Sequence, residues 1–171
     1  GTGAATFPTG QILYGNGTSA IQSSANLIFS SNNLGIGTSP GAFKLDVNGT
    51  VHYVAIQASS DGRFKKNVQV ISNPLDKISS LRGVRFEWNE FINARRDGYE
   101  LNRPTFGVIA QELEEVFPEL ISLWRLSDDC TDARSVNYEK IIPILIEAVK
   151  ELNNKNKLLE SRILNLENKQ I

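Results

Sequence analysis

The sequence predicts an α+β protein in two parts: a β-rich N-terminal stalk, then a small mixed α/β body that ends in a long C-terminal helix. Three observations carry that prediction. Residues 1–59 hold only two charged side chains, Lys44 and Asp46, out of 18 basic and 19 acidic residues in the chain. Nine of the 13 glycines fall in the same stretch, between short apolar runs. From Val149 onward, apolar residues recur at alternating steps of three and four, the spacing of a helix with one sticky face.

The stalk reads as short β segments separated by glycine turns: Gln11–Tyr14, Asn26–Phe29, Leu34–Gly37, Phe43–Val47 and Val51–Ile56. Phe43, Leu45 and Val47 alternate as a half-buried strand does, and the following Asn48-Gly49 is a strong turn signal. These segments are too short and too poor in large apolar residues to bury a core of their own. Wrapping identical chains around one another solves that, because each strand then covers its apolar face on its neighbours' copies. A flexible linker would not space Leu, Ile, Phe and Val so regularly.

The body begins near Asp61. Asn73-Pro74 opens a short helix over 75–81, with proline at an early helical position. Val84–Trp88 and Thr105–Ile109 alternate as strands, with a polar loop at 95–99 between them. Ala110–Phe117 is an amphipathic helix stopped by Pro118, and Leu120–Trp124 with Ser135-Val136 supply further strand. Asn137 is a fitting N-cap for the last helix, and Pro143 is expected to kink its start or mark a helix joint. Beyond it, Val149, Leu152, Asn156, Leu159, Ile163 and Leu166, with Gln170, form an a/d seam. An asparagine at an a position costs stability and fixes register, which makes sense only where the seam faces other helices. Seam chemistry does not fix their number: β-branched a with Leu at d leans towards two.

Composition excludes several functions. A net charge of −1 gives no reason to expect nucleic acid or an anionic membrane as partner, and no window approaches a bilayer span. The single cysteine, Cys130, and single histidine, His52, leave no metal set and no intrachain disulfide, so no metal and no cofactor are expected. Cys130 reads as an incidental surface thiol. The opening Gly1-Thr2-Gly3 reads as the start of a piece cut from a longer chain.

The two parts meet at Ser59-Ser60-Asp61-Gly62-Arg63-Phe64-Lys65-Lys66-Asn67. A serine hydroxyl is a poor nucleophile until a neighbour takes its proton, and a lysine can do so only when burial or positive charge favours its neutral form. Arg63, Lys65 and Lys66 supply positive charge, and Val54, Ile56 and Phe64 could supply an apolar wall. On spacing alone, the same residues read as Ser60 capping a solvated basic turn with help from Asp61. His52 is a second conceivable base, without an orienting acid beside it.

Residues 60–68 resemble the Ser-Asp-x-Arg-x-Lys-x-Asn-Ile junction of the self-cleaving intramolecular chaperone domains that end phage tailspikes and tail fibres such as endosialidases. Residues 106–113 with 117–120 resemble that family's Gly-x-Ile-Ala-Gln-Glu and Phe-Pro-Glu segment, and 136–143 with 146–152 its terminal helix. Residues 34–40 and 44–50 look like repeats that often precede such domains. Phe64 stands where Leu is usual and Val68 where Ile is, neither at a reacting position.

The resemblance implies an intertwined homotrimeric β-stalk at 1–59, and a chaperone at 60–171 made of a body (60–135) and a trimeric coiled coil (136–171). It implies that this domain aligns the upstream fibre portion of the same chain, then cuts between Ser59 and Ser60 as a serine endopeptidase in cis. Ser60 would be the nucleophile and Lys65 the base. Gln111, Asp61 and Arg63 are candidates to stabilise the oxyanion or support the site. It places the precursor in a virion tail fibre assembled in the host cytoplasm. The alternative is a permanent, uncut trimeric fibre tip.

Overall fold

A computed structural model describes residues 8–17, 21–94 and 102–169. It is a mixed α+β chain with small sheets and one long C-terminal helix. Contacts divide it into two units. One runs up to Gln57 and includes Phe86–Thr105 and Trp124–Ala133; the other joins Ala58–Arg85, Phe106–Leu123 and the stretch from Arg134 onward.

In the first unit, β1 (Gln11–Tyr14), β2 (Gln22–Ser30), β3 (Asn33–Ile36) and β4 (Leu45–Val47) form one sheet in that order. β1, β2 and β3 are successive antiparallel strands, and Ser31 and Asn32 adopt positive φ to turn the chain between β2 and β3. β4 then pairs parallel with β3, Leu34 beside Leu45 and Ile36 beside Val47. Its apolar side chains stay largely uncovered, including Leu13, Phe29, Ile36 and Leu45, so one copy of the sheet has no closed core. The expected strand over 51–56 is not formed. Val51, Tyr53, Val54 and Ile56 are exposed, and an apolar alternation cannot become a strand without a partner edge.

The second unit holds the core. α1 (Pro74–Ser79) packs along α4 (Ile141–Glu167), and α3 (Ala110–Val116) runs into a 3-10 turn at Pro118–Leu120. Leu113, Phe117, Leu120 and Ile144 are buried together, with Ile78, Leu81, Val108 and Val136 around them. Their spacing explains the fold locally: Leu113 on α3 and Phe117 at its C-terminal cap are four residues apart, and Pro118 follows where the helix has ended. Polar contacts hold the same elements. The Leu75 N–H donates to Glu151, Arg134 donates to Glu114 at 2.6 Å, and the Val108 N–H donates to Tyr138 Oη.

β5 (Val84–Phe86) pairs with β6 (Thr105–Gly107), and β7 (Ile121–Trp124) with β8 (Ala133–Val136). A short α2 (Glu90–Asn93), capped by Asn89, was not apparent from the sequence. The loop at 95–99 and Gln170 lie outside the described residues. Asn137 caps a 3-10 turn, Tyr138–Lys140, which passes directly into α4. Pro143 therefore falls in the first turn of α4, where the missing N–H breaks no intrahelical bond, and a joint lies just ahead of it.

Candidate functional site: a serine–lysine pair at the junction

Asp61 organises the site. Its Oδ1 accepts from the Arg63 N–H at 2.9 Å and caps a single 3-10 turn, Gly62–Phe64. The Phe64 and Lys65 N–H groups close that turn onto the carbonyls of Asp61 and Gly62. At Lys65 the backbone becomes extended. One tight turn inserted between residues 60 and 65 brings the lysine back over the serine. Lys65 Nζ donates to Ser60 Oγ at 2.8 Å, while the adjacent Lys66 makes no such bond. The capping role therefore belongs to Asp61, not to Ser60 as the spacing alone suggested.

Arg63 is committed elsewhere. Its Nε reaches both Asp61 oxygens at 3.1 Å and its Nη2 reaches Oδ2 at 2.6 Å. The Arg63 guanidinium and, next, its backbone N–H hold the Asp61 carboxyl below its ordinary range, and the carboxylate raises the affinity of Arg63 for its proton. The charge of Arg63 is largely cancelled by Asp61, so it contributes less to neutralising a nearby lysine than the bare sequence suggested.

The residues expected to form an apolar wall stand exposed. Val54 is fully exposed, Ile56 is 64% exposed and Phe64 78%, and Ser59, Ser60 and Lys65 also face water. Gln111, in α3, is exposed and makes no hydrogen bond to Ser60; His52 is exposed and bonds no serine. The serine hydroxyl and the lysine amine are thus hydrogen-bonded to each other and exposed to water.

An exposed apolar row runs along α4. Val149, Leu152, Leu159, Ile163 and Leu166 are 46–63% exposed, and Asn156 is exposed among them, while Ile144 and Ala148 of the same helix are buried. Two further exposed residues at the same spacing were not singled out from the sequence. Ile142 and Leu145, seven residues before Val149 and Leu152, are 58% and 43% exposed and continue the register. The signal was there, hidden by treating Pro143 as an interruption.

Among the described residues, no three His, Cys, Asp or Glu side chains gather as a metal would require, and no helix is long and apolar enough to cross a membrane. Residues 60–122 match the family described as the chaperone of endosialidase. This chain carries a domain of that family. The family segment begins at Ser60, the residue that receives the Lys65 hydrogen bond. Relatives include long tail fibre proteins Gp37. That of Enterobacteria phage K3 is 36% identical over 107 residues, covering 61% of this chain and 8% of the fibre protein. That of Salmonella phage S16 is 31% identical over 128 residues, covering 72% and 16%. That of Enterobacteria phage Ox2 is 29% identical over 122 residues, covering 71% and 45%. The chain thus spans less than half the length of each.

Proposed function

We propose that this chain is the terminal part of a phage tail fibre in which residues 60–171 trimerise, align the upstream stalk (1–59), and then release themselves by cutting between Ser59 and Ser60. The observation that carries this reading is the 2.8 Å contact of Lys65 Nζ with Ser60 Oγ at the first residue of the chaperone-of-endosialidase segment.

In the resting pair the ammonium donates to the hydroxyl. Catalysis begins when the amine is neutral and the hydrogen bond reverses. Ser60 Oγ then attacks the Ser59 carbonyl carbon, its proton passing to Lys65 Nζ. As the C–N bond breaks, Lys65 returns that proton to the departing Ser60 nitrogen, leaving an ester between the Ser59 carbonyl and Ser60 Oγ. Water opens the ester, giving a Ser59 carboxylate and a new amino terminus at Ser60. Gln111, or backbone N–H groups contributed on assembly, would serve the oxyanion. Desolvation of the lysine, missing in one chain, is the part that assembly supplies.

The α4 seam supplies the assembly. Around the a/d row, Lys155 and Arg162 occupy g positions and Glu160 and Glu167 occupy e positions. Parallel copies place each basic g residue beside an acidic e residue of the next heptad, whereas antiparallel copies would set g against g, like charge on like. A parallel bundle raises the local concentration of the stalk chains, whose pairing between molecules is otherwise slow. Cutting afterwards removes the assembly aid, and the wound stalk is kinetically trapped.

The test is the purified chain's mass and sedimentation. The reading expects a trimer whose chains, about 19 kDa before cutting, become pieces of about 6 and 13 kDa. Ser60→Ala stays trimeric and uncut, and Leu159→Asp with Ile163→Asp is monomeric and uncut. A chain that trimerises yet never cuts would be a permanent fibre tip and would refute the self-release.

A further inference from the structure

The parallel β3–β4 pair carries a repeat that does not end at β4. Leu34, Gly35 and Ile36 lie beside Leu45, Asp46 and Val47, a constant offset of eleven residues along the chain. The ladder is closed by the Leu34 N–H on the Lys44 carbonyl and the Asn48 N–H on the Ile36 carbonyl, both at 2.9 Å. Moving on by the same offset carries Leu45-Asp46-Val47 onto Ile56-Gln57-Ala58, which keeps the apolar–polar–apolar order. β4 is the last strand of its sheet, so among the described residues its outer edge pairs with no strand, and Leu45 is 56% exposed. An open edge beside exposed apolar residues is a template for another strand.

The same chain cannot supply that strand by repeating the turn it has just made. After β3 the backbone doubles back over Gly35 so closely that a Cβ there would lie 2.1 Å from the Thr38 carbonyl oxygen and 2.9 Å from Pro40. The turn also uses Gly37 at φ +69°. In the next repeat these places are held by Asp46, which has a Cβ, and Asn48, which is not at positive φ. A return over Asp46 would clash where the return over Gly35 does not. Another copy can supply the strand without that return.

We infer that the outer edge of β4 in each copy takes up Ile56-Gln57-Ala58 of a neighbouring copy as a parallel strand, in the register that sets Ile56 beside Leu45 and Ala58 beside Val47. Each copy gives one strand and receives one. Such a head-to-tail contact closes into a ring under a cyclic symmetry. This inference rests on the trimer proposed above and adds a regulatory consequence. The donated strand ends one residue before Ser59, so capture of the strand by a neighbour fixes the chain next to the Ser59–Ser60 bond. Winding of the last stalk repeat then becomes a condition for cutting.

The experiment uses the full chain with Cys130→Ser and Ser60→Ala, to remove the native thiol and keep the chain whole. Leu45→Cys and Ile56→Cys are added together, oxidised mildly and examined on a denaturing gel beside sedimentation of the same sample. Facing residues on paired strands fall within disulfide reach. The expected result is covalent dimers and trimers, absent from either single cysteine and from Leu45→Cys with Tyr53→Cys. A trimer in sedimentation that gives no interchain bond, or only an intrachain bond, overturns the strand exchange and leaves the assembly reading standing. A monomer overturns both. As an independent readout, Leu45→Asp, on the receiving edge and outside the residues that could wall Lys65, should in an otherwise native chain stay trimeric through α4 yet cut at least tenfold more slowly. An unchanged cutting rate in that trimer removes the regulatory consequence.

Discussion

Replacing Lys65 three ways separates a base from a mere positive charge. Lys65 Nζ touches Ser60 Oγ at 2.8 Å, and Arg63, the neighbouring cation, is held by Asp61 through three contacts of 2.6–3.1 Å. Among the described residues, no other basic group is hydrogen-bonded to the serine. A positioned general base is worth about 10²–10⁴ in rate, or about 3–5 kcal/mol of barrier. Lys65→Ala should therefore slow cutting by at least about a hundredfold. Lys65→Arg is the decisive variant: it keeps a cation and several donors near Oγ but cannot give up its proton near neutral pH. It should be as slow as Lys65→Ala, while Lys66→Ala cuts at the native rate and Ser60→Ala does not cut. The assay is the appearance of the N-terminal piece by mass spectrometry, with sedimentation confirming that each variant is trimeric. Restoration of cutting by Lys65→Arg would show that charge suffices and refute the base. Loss of cutting in Lys66→Ala alone would show that the wrong lysine has been assigned.

Other expected outcomes test the scaffold. Asn156→Leu should stabilise the trimer, by up to about 1.5–3 kcal/mol per chain if the new side chain is fully buried, and raise its thermal midpoint; an unchanged or lower midpoint would show that the seam register is wrong. Leu113→Ala removes a side chain only 1% exposed among Phe117, Leu120 and Ile144, and should destabilise the body by about 2–5 kcal/mol in urea titration. Leu164→Ala, on a surface position of α4 outside the a/d row, should change stability by no more than about 0.5 kcal/mol. The Glu112 carboxyl is held below its ordinary range chiefly by its hydrogen bonds from Arg82. Its contribution is present above the ordinary carboxylate range and is lost as pH falls through the folded value. Urea midpoints followed downward from pH 6 should accordingly fall more steeply in the native chain than in Glu112→Gln.

What the sequence made legible is what short-range chemistry decides. Pro74 and Pro118 marked a helix start and a helix stop, and the Leu113 and Phe117 spacing marked the buried face of α3, all of which the structure contains. The junction residues were found as a group, yet Ser60→Lys65 spacing could not say which lysine would turn back; that depends on the Asp61-capped turn and its φ/ψ values. The strand expected over 51–56 failed for a different reason. Its residues have the right pattern and lack a partner, and whether a partner exists is a property of a second chain. The burial expected around Lys65 was likewise beyond the sequence: Val54, Ile56 and Phe64 are present and exposed, and the order of residues does not say what would cover them. On the proposed reading, a site completed only on assembly is safer than one complete in the monomer. A chain able to cut alone would shed its aligning helix before any neighbour arrived, and its uncovered strands, Leu13, Phe29 and Leu45 among them, would be left to pair at random.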